Sequence, residues 1–299
     1  MIDEDMITQI FVKCDDFVKK FNEKYKKYLL PSKKEKKRNK QSSLTISEVM
    51  TILIYYHKSG YKCFKYYYLN SYFELKTYFP KLVSYKRIVN MMKEVLVYLM
   101  AFMLFARRGK NTGIAFIDST SIKVCDNKRI HSNKVFKDLA KRGKTSKGWF
   151  YGFKLHLVVN ELGEILGFSF TPANVSDTNQ DIVLQITKDF QGKLFGDKGY
   201  ISKKLFEILY KKGIQLITKI RKNMKNKLIP LMDKLLLRKR AIIETINDEL
   251  KNIYDLEHTR HRSPVNAMVN WICALIAYSF RKKKPSIRNK VEIKNLLLV

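Results

Sequence analysis

A chain of 299 residues, 45% of them hydrophobic, is long enough to bury a core as one large domain or two smaller ones, so a disordered tail is excluded. Fifty-nine Lys and Arg against 27 Asp and Glu leave a formal charge of +32, which makes a polyanion the natural partner. Nucleic acid fits better than a membrane surface, because no amphipathic basic helix stands apart from the rest.

The four cysteines, Cys14, Cys63, Cys125 and Cys273, lie far apart with no CxxC pair. That spacing argues against a zinc ribbon and against a disulfide framework, and the thiols read as reduced core residues. The N-terminus MIDEDMITQI is acidic and has no apolar signal core, and the apolar run AMVNWICALIAYSF is interrupted by Asn270. It falls short of a span of about 20 residues, so the chain is expected in the cytoplasm.

Residues 1–106 show helical periodicity. Ile7, Ile10, Phe11, Cys14, Phe17 and Phe21 recur at spacings of three, four and seven, and a second helix opens with a capping box from Thr45 to Glu48 and stops at Gly60. A third helix is predicted over 84–104. SKKEKKRNKQSS, between the first two, is either a solvated basic linker or a segment lying along a phosphate backbone. In GYKCFKYYYLNSYFELKTYF, Lys and Tyr interleave as on surfaces that hold phosphates and stack bases, while the same aromatics at helical spacing also suit a core.

After ARRGKNTG the pattern turns to short strands at 114–118, 150–160, 164–173, 193–197 and 214–220, with helices at 178–190, 201–212 and 230–252. Three neighbouring strands followed by alternation of helix and strand suit a mixed sheet flanked by helices. The chain divides, on this reading, into a helical DNA-binding part over 1–106, an α/β domain over 107–285 and a basic tail over 286–299.

Two apolar strands end on acids in this basic protein, FID at Asp118 and KLFGD at Asp197. Sites in open α/β sheets form at strand ends, and two carboxylates brought together there repel unless a cation lies between them. On the helix RKRAIIETINDELK, Arg240, Glu244, Asp248 and Lys251 fall on one face, and Ile242, Ile243, Ile246 and Leu250 on the other. A salt-bridge ladder is the ordinary reading of such a face. Three acids in the order Asp, Asp, Glu are also what a pair of Mg²⁺ ions needs for in-line attack on a phosphodiester.

SEVMTILIYYHKSGYKCFKYYY and FPKLVSYKRIV in the first half, then FIDSTSIKVC, KGWFYGFKLHLVVNELGEI, GDKGY, RKRAIIETINDELK and EHTRHRSPVNAMVNWICALIAY, appear in this order. In these motifs the chain resembles the DDE transposases of bacterial insertion sequences, most closely the insertion sequence 982 family. The resemblance implies an RNase H-like α/β core after an all-helical N-terminal domain, with Asp118, Asp197 and Glu244 as catalytic acids holding two Mg²⁺ (or Mn²⁺) ions. It implies hydrolysis of DNA at the ends of the element, attack of the freed 3′-hydroxyl on target DNA, and a homo-oligomer assembled on DNA. Related transposases carry a Tyr-Arg-Glu-Lys signature on the third-acid helix. Arg240, Glu244 and Lys251 match it, with Arg240 and Lys251 as the expected DNA contacts beside the acid, whereas Leu237 stands in place of the Tyr.

Glu244 and Asp248 lie one turn apart on one face; the signature and the longer reach of its side chain favour Glu244 as the third acid, while Asp248 has a ready salt-bridge partner in Lys251. His258 and His261 have helical spacing suited to a metal or to a polar contact near DNA. His156, alternating with Lys154, is either a core residue or a contact beside the site. Strand transfer, hydrolysis alone and an inactive DNA-binding relic remain three readings, the intact triad speaking against the relic.

Overall fold

The computed structural model describes residues 2–29, 42–146, 148–219, 229–258 and 260–287. They form two compact units: Met1–Arg107 with Asn252–Leu256 and His261–Phe280, and Arg108–Lys251 with Glu257–Arg260 and Arg281–Val299.

The first unit is helical. α1 (Glu4–Leu29), α2 (Ile46–Tyr56), α3 (Phe64–Asn70), α4 (Tyr72–Tyr78) and α5 (Tyr85–Ala106) are joined by a helix from the far end of the chain, Pro264–Ser279. The expected capping box starts α2: Glu48 N–H donates to Thr45 Oγ1 at 3.2 Å and Thr45 N–H to Glu48 Oε2 at 2.6 Å. Helix Pro264–Ser279 begins with Ser263 accepting from Asn266 N–H at 3.4 Å, and it packs on α5 and α2. The sequence reading assigned this segment to the α/β domain. It sits among the helices because it is apolar all round, from Ala267 to Tyr278, and such a helix must be surrounded.

α5 alone among the described helices has the length and apolar character to cross a membrane, but Ile88, Met91, Val95, Leu99 and Phe102 make it part of this unit's core. The aromatic stretch divides: Tyr67 and Tyr68 are buried, while Tyr66 and Phe73 face solvent. Cys14 and Cys273 are buried thiols, the first pushed up to about 12 by burial. Cys63 and Cys125 are half-buried rather than core residues. Most of the basic linker, residues 32–41, and the tail beyond Ile287 lie outside the described residues.

The second unit is built on a six-stranded mixed sheet: β1 (Ile114–Cys125), β2 (Lys141–Thr145), β3 (Gly148–Asn160), β4 (Ile165–Pro172), β5 (Gly192–Gly196) and β6 (Ile214–Thr218). The order is β2-β3-β1-β5-β6, with β4 also paired to β3. β3 runs antiparallel to β1, β2 and β4, while β1, β5 and β6 are parallel. The path β4-β3-β1-β5-β6 is the RNase H-like arrangement. α6 (Gln180–Ile186) and α7 (Lys203–Lys211) join a core of Ala115, Ile117, Val158, Leu194 and Ile214, and α8 (Leu231–Lys239) packs on β5 and β6.

Three local features differ from the sequence reading. β1 does not stop at Asp118 but continues to Cys125, because β3 goes on supplying ladder partners, from Asp118↔Leu157 to Cys125↔Tyr151, after β5 has ended. The short strand β2 forms a hairpin with β3. The helix expected over 230–252 is two helices, α8 and α9 (Ala241–Asn252), meeting at Arg240.

Candidate active site

Parallel pairing brings the two aspartates level. Phe116 is opposite Phe195, and extending that register by two residues sets Asp118 beside Asp197. There β5 ends and turns away, so β1 continues with one edge open. Asp197 caps the short 3₁₀ turn Lys198–Tyr200, accepting Gly199 N–H at 2.7 Å. Tyr200 is buried beneath this turn, its phenol held well above its ordinary range by burial and by the charges of Asp118, Asp177 and Asp197.

α9 carries Glu244, the third acid of the sequence reading. Arg240 forms an ion pair with Glu244, one turn on, and its Nη1 lies 3.8 Å from Asp118 Oδ1. Asn247 donates its amide to Asp118 Oδ2 at 3.1 Å. Lys251 Nζ donates to Ser121 Oγ at 3.3 Å and pairs with Glu257 at 3.1 Å. The face that meets β1 is therefore 240-244-247-251, at helical spacings of four, three and four. Asp248, which the sequence reading placed on this face, is exposed, whereas Asn247 is buried. Ile242, Ile243, Ile246 and Leu250 are buried, the apolar set that fixes α9 in this rotation.

The electrostatics are those of carboxylates gathered around too little positive charge. Burial pushes Asp118 up to about 7, and the charges of Asp197 and Glu244 add to that, opposed by Arg240 and by a backbone hydrogen bond from Ser119. Arg240 Nη1 and Asn247 Oδ1 are both buried with no hydrogen-bond partner. Among the described residues, no three acidic, His or Cys side chains close in tightly enough to grip a metal. Even so, the site suits a divalent ion of the Mg²⁺ class. Its donors are carboxylate oxygens, its repulsion calls for a cation, and a guanidinium already occupies part of that role.

A second polar cluster, around Asp177, lies beside the site and was missed in the sequence, because a single acid in the loop VSDTNQ carries no periodic signal. Asp177 accepts from Ser119 Oγ at 2.8 Å and from Lys154 Nζ at 3.1 Å. His156 Nδ1 is 4.0 Å from the same carboxylate, close enough for an ion pair only if the ring is charged. Burial pushes the imidazole down to about 4, so near neutral pH Lys154 carries the pairing and His156 is a neutral core residue whose Nε2 meets Thr171 Oγ1 at 2.9 Å. The helical spacing expected of His258 and His261 is absent. Residues 257, 258 and 260–263 are non-helical, and His258 Nδ1 accepts from Arg260 N–H at 3.0 Å. A cavity of about 540 Å³, lined by Asn111, Asp189, Gln191 and Ile214, opens at the other ends of β5 and β6 and is not part of the site.

The profile of the transposase DDE domain matches residues 108–264, more than half of the chain. The chain belongs to the DDE transposase family. The match runs from just before β1 to the start of the last helix and takes in all three acids. No curated protein matches this transposase. Among solved structures it is similar to a piggyBac transposase in a synaptic complex with hairpin DNA, at 9% identity and a TM-score of 0.47, over 98% of this chain and 77% of that one. It is also similar to a chain of the simian T-cell lymphotropic virus intasome in complex with PP2A regulatory subunit B56 gamma, at 14% identity and a TM-score of 0.28, over 64% of this chain and 58% of that one. At these values neither likeness bears on the chemistry.

Proposed function

We propose that this transposase is of the bacterial insertion sequence 982 kind, cleaving the ends of its element and joining the freed 3′-hydroxyl to target DNA. One observation carries the reading: the register of β1 and β5 sets Asp118 beside Asp197, and α9 meets Asp118 through Asn247 and through Arg240, the ion-pair partner of Glu244. Asp118, Asp197 and Glu244 would hold two divalent ions, Mg²⁺ or Mn²⁺. Bound there, the ions would supply the positive charge and Lewis acidity that attack on a phosphodiester requires.

The rest falls to the protein's own side chains. Asn247 orients the Asp118 carboxylate. Tyr200 and the 3₁₀ turn fix Asp197. Arg240 and Lys251 exchange their carboxylate partners for DNA phosphates when the substrate enters, which places the scissile bond against the acids. The paired ends imply a homo-oligomer on DNA, acting in the cytoplasm.

The test is a labelled duplex carrying one end of the element, incubated with the purified protein and Mg²⁺. A nick that leaves a 3′-hydroxyl, followed by joined products with target DNA and abolished by EDTA, is the expected result. Nicking without joined products would identify a nuclease instead, and full activity in EDTA would overturn the metal assignment.

A further inference from the structure

The hairpin of β2 and β3 lies well away from the acids, and its chemistry is not used by the proposed reaction. Trp149, the second residue of β3, is 61% exposed. It pairs across the hairpin with Lys144, whose Nζ lies 5.7 Å from the ring centroid. Arg142 stands two residues back along β2, on the same face, opposite Tyr151. The neighbouring 3₁₀ turn Asn127–Arg129 is tethered to this point by Asn127 Nδ2 donating to the Trp149 carbonyl at 2.9 Å, which places the turn carrying Lys128 and Arg129 next to this part of β3. All four cations are exposed, and none has an ion-pair partner among the described residues.

The arm is held rigidly. A Cβ on Gly143 would meet the Ala173 carbonyl oxygen at 2.4 Å, and one on Gly152 would meet the Ile122 oxygen at 2.0 Å, so both strands lie hard against their neighbours. Lysines on an edge strand can be explained as protection against stray strand pairing. That explanation does not reach Trp149, which is not on the edge strand and whose exposure works against solubility.

We propose that this hairpin is a second DNA site, where Arg142, Lys144, Lys128 and Arg129 bind backbone phosphates and Trp149 stacks on a base turned out of the helix. The proposal rests on the DNA reading given above. Exposed aromatics interleaved with cations form the platform on which unstacked bases bind, and a cation over an indole keeps its face presented outward. Asp118 is level with Leu157, and Tyr151 and Trp149, opposite Arg142 and Lys144, stand six and eight residues along β3 from it, so the arm lies about 20 to 26 Å from the acids at roughly 3.3 Å per residue. A duplex cut at the acids is long enough to reach it.

The protein has two tryptophans, and the other, Trp271, is buried. Both indoles emit, but only Trp149 is open to a base, so quenching that disappears in Trp149→Phe is its own. Full-length protein is titrated in EDTA with a fluorescein-labelled duplex, and separately with the single strand, while anisotropy and tryptophan emission are followed across a range of salt. Quenching in the wild type and its loss in Trp149→Phe are expected. Arg142→Gln combined with Lys144→Gln is expected to weaken binding about fivefold or more and to lower the log-log salt slope by about 2. Wild-type protein that binds DNA with unquenched emission, or a double variant with unchanged affinity and slope, would overturn the proposal and leave the transposase reading standing. A wild type that binds no DNA would overturn both. Altered sedimentation of Trp149→Ala with unaltered DNA binding would identify the arm as a self-association surface and overturn the proposal.

Discussion

Asn247 Nδ2 lies 3.1 Å from Asp118 Oδ2, and this hydrogen bond links the middle of α9 to the middle of β1. It occupies one carboxylate oxygen of Asp118 and leaves the other toward Arg240, 3.8 Å away. An outer partner of this type fixes the orientation of a ligand carboxylate, and its loss typically costs 10- to 100-fold in metal affinity or activity. Asn247→Ala is expected to slow DNA cleavage by about that factor with DNA binding preserved. A cleavage rate equal to wild type at limiting Mg²⁺ would remove Asn247 from the site.

Of the two acids one turn apart on α9, Glu244 shares its ion-pair partner, Arg240, with Asp118. Glu244→Gln is expected to abolish cleavage and joining while DNA binding stays intact or tightens, because a negative charge facing phosphate is gone. Asp248→Asn is expected to keep measurable activity. Both variants are assayed beside wild type on a labelled end with Mg²⁺. A dead Asp248→Asn together with a cutting Glu244→Gln would move the third acid along the helix.

Arg240 compensates Asp118 and Glu244 before any ion binds. Removing the guanidinium leaves those carboxylates short of positive charge, so Arg240→Gln should bind Mn²⁺ more tightly than wild type, measured by the loss of the free-ion EPR signal. The same variant, and Lys251→Ala, should bind the element end more weakly with an unchanged circular dichroism spectrum. Unfolding of either variant would mark its cation as a structural partner.

His156 makes stability depend on pH. Its folded value near 4 lies below the ordinary 6.5, so below pH 6.5 the unfolded chain takes up a proton that the folded chain refuses. The stabilisation is complete above pH 6.5 and is lost as pH falls toward 4. A shift of about 2.5 units corresponds to roughly 3 kcal/mol at most. Urea unfolding at pH 7.5 and 4.5 should therefore show a larger loss for wild type than for His156→Gln. Equal losses would mean that the ring is protonated in the folded state and pairs with Asp177.

Much of this protein was legible in the order of its residues. Periodicity and the Thr45–Glu48 capping box located the first helices, since those signals depend only on neighbours along the chain. Apolar runs located the strands of the mixed sheet, and Asp118 and Asp197 stood out at the ends of such runs, whereas spacing on the helix face did not separate Glu244 from Asp248. What stayed hidden depends on partners distant in sequence. β1 runs past Asp118 because β3 is long enough to pair with it, and Pro264–Ser279 joins the helical unit because its apolar surface is closed by α5 and α2. Asn247 and Asp248 sit at adjacent positions, and local spacing gave no preference for the amide. The burial of Ile243, Ile246 and Leu250 set the rotation of α9, and that rotation turned Asn247 toward Asp118 and left Asp248 in solvent.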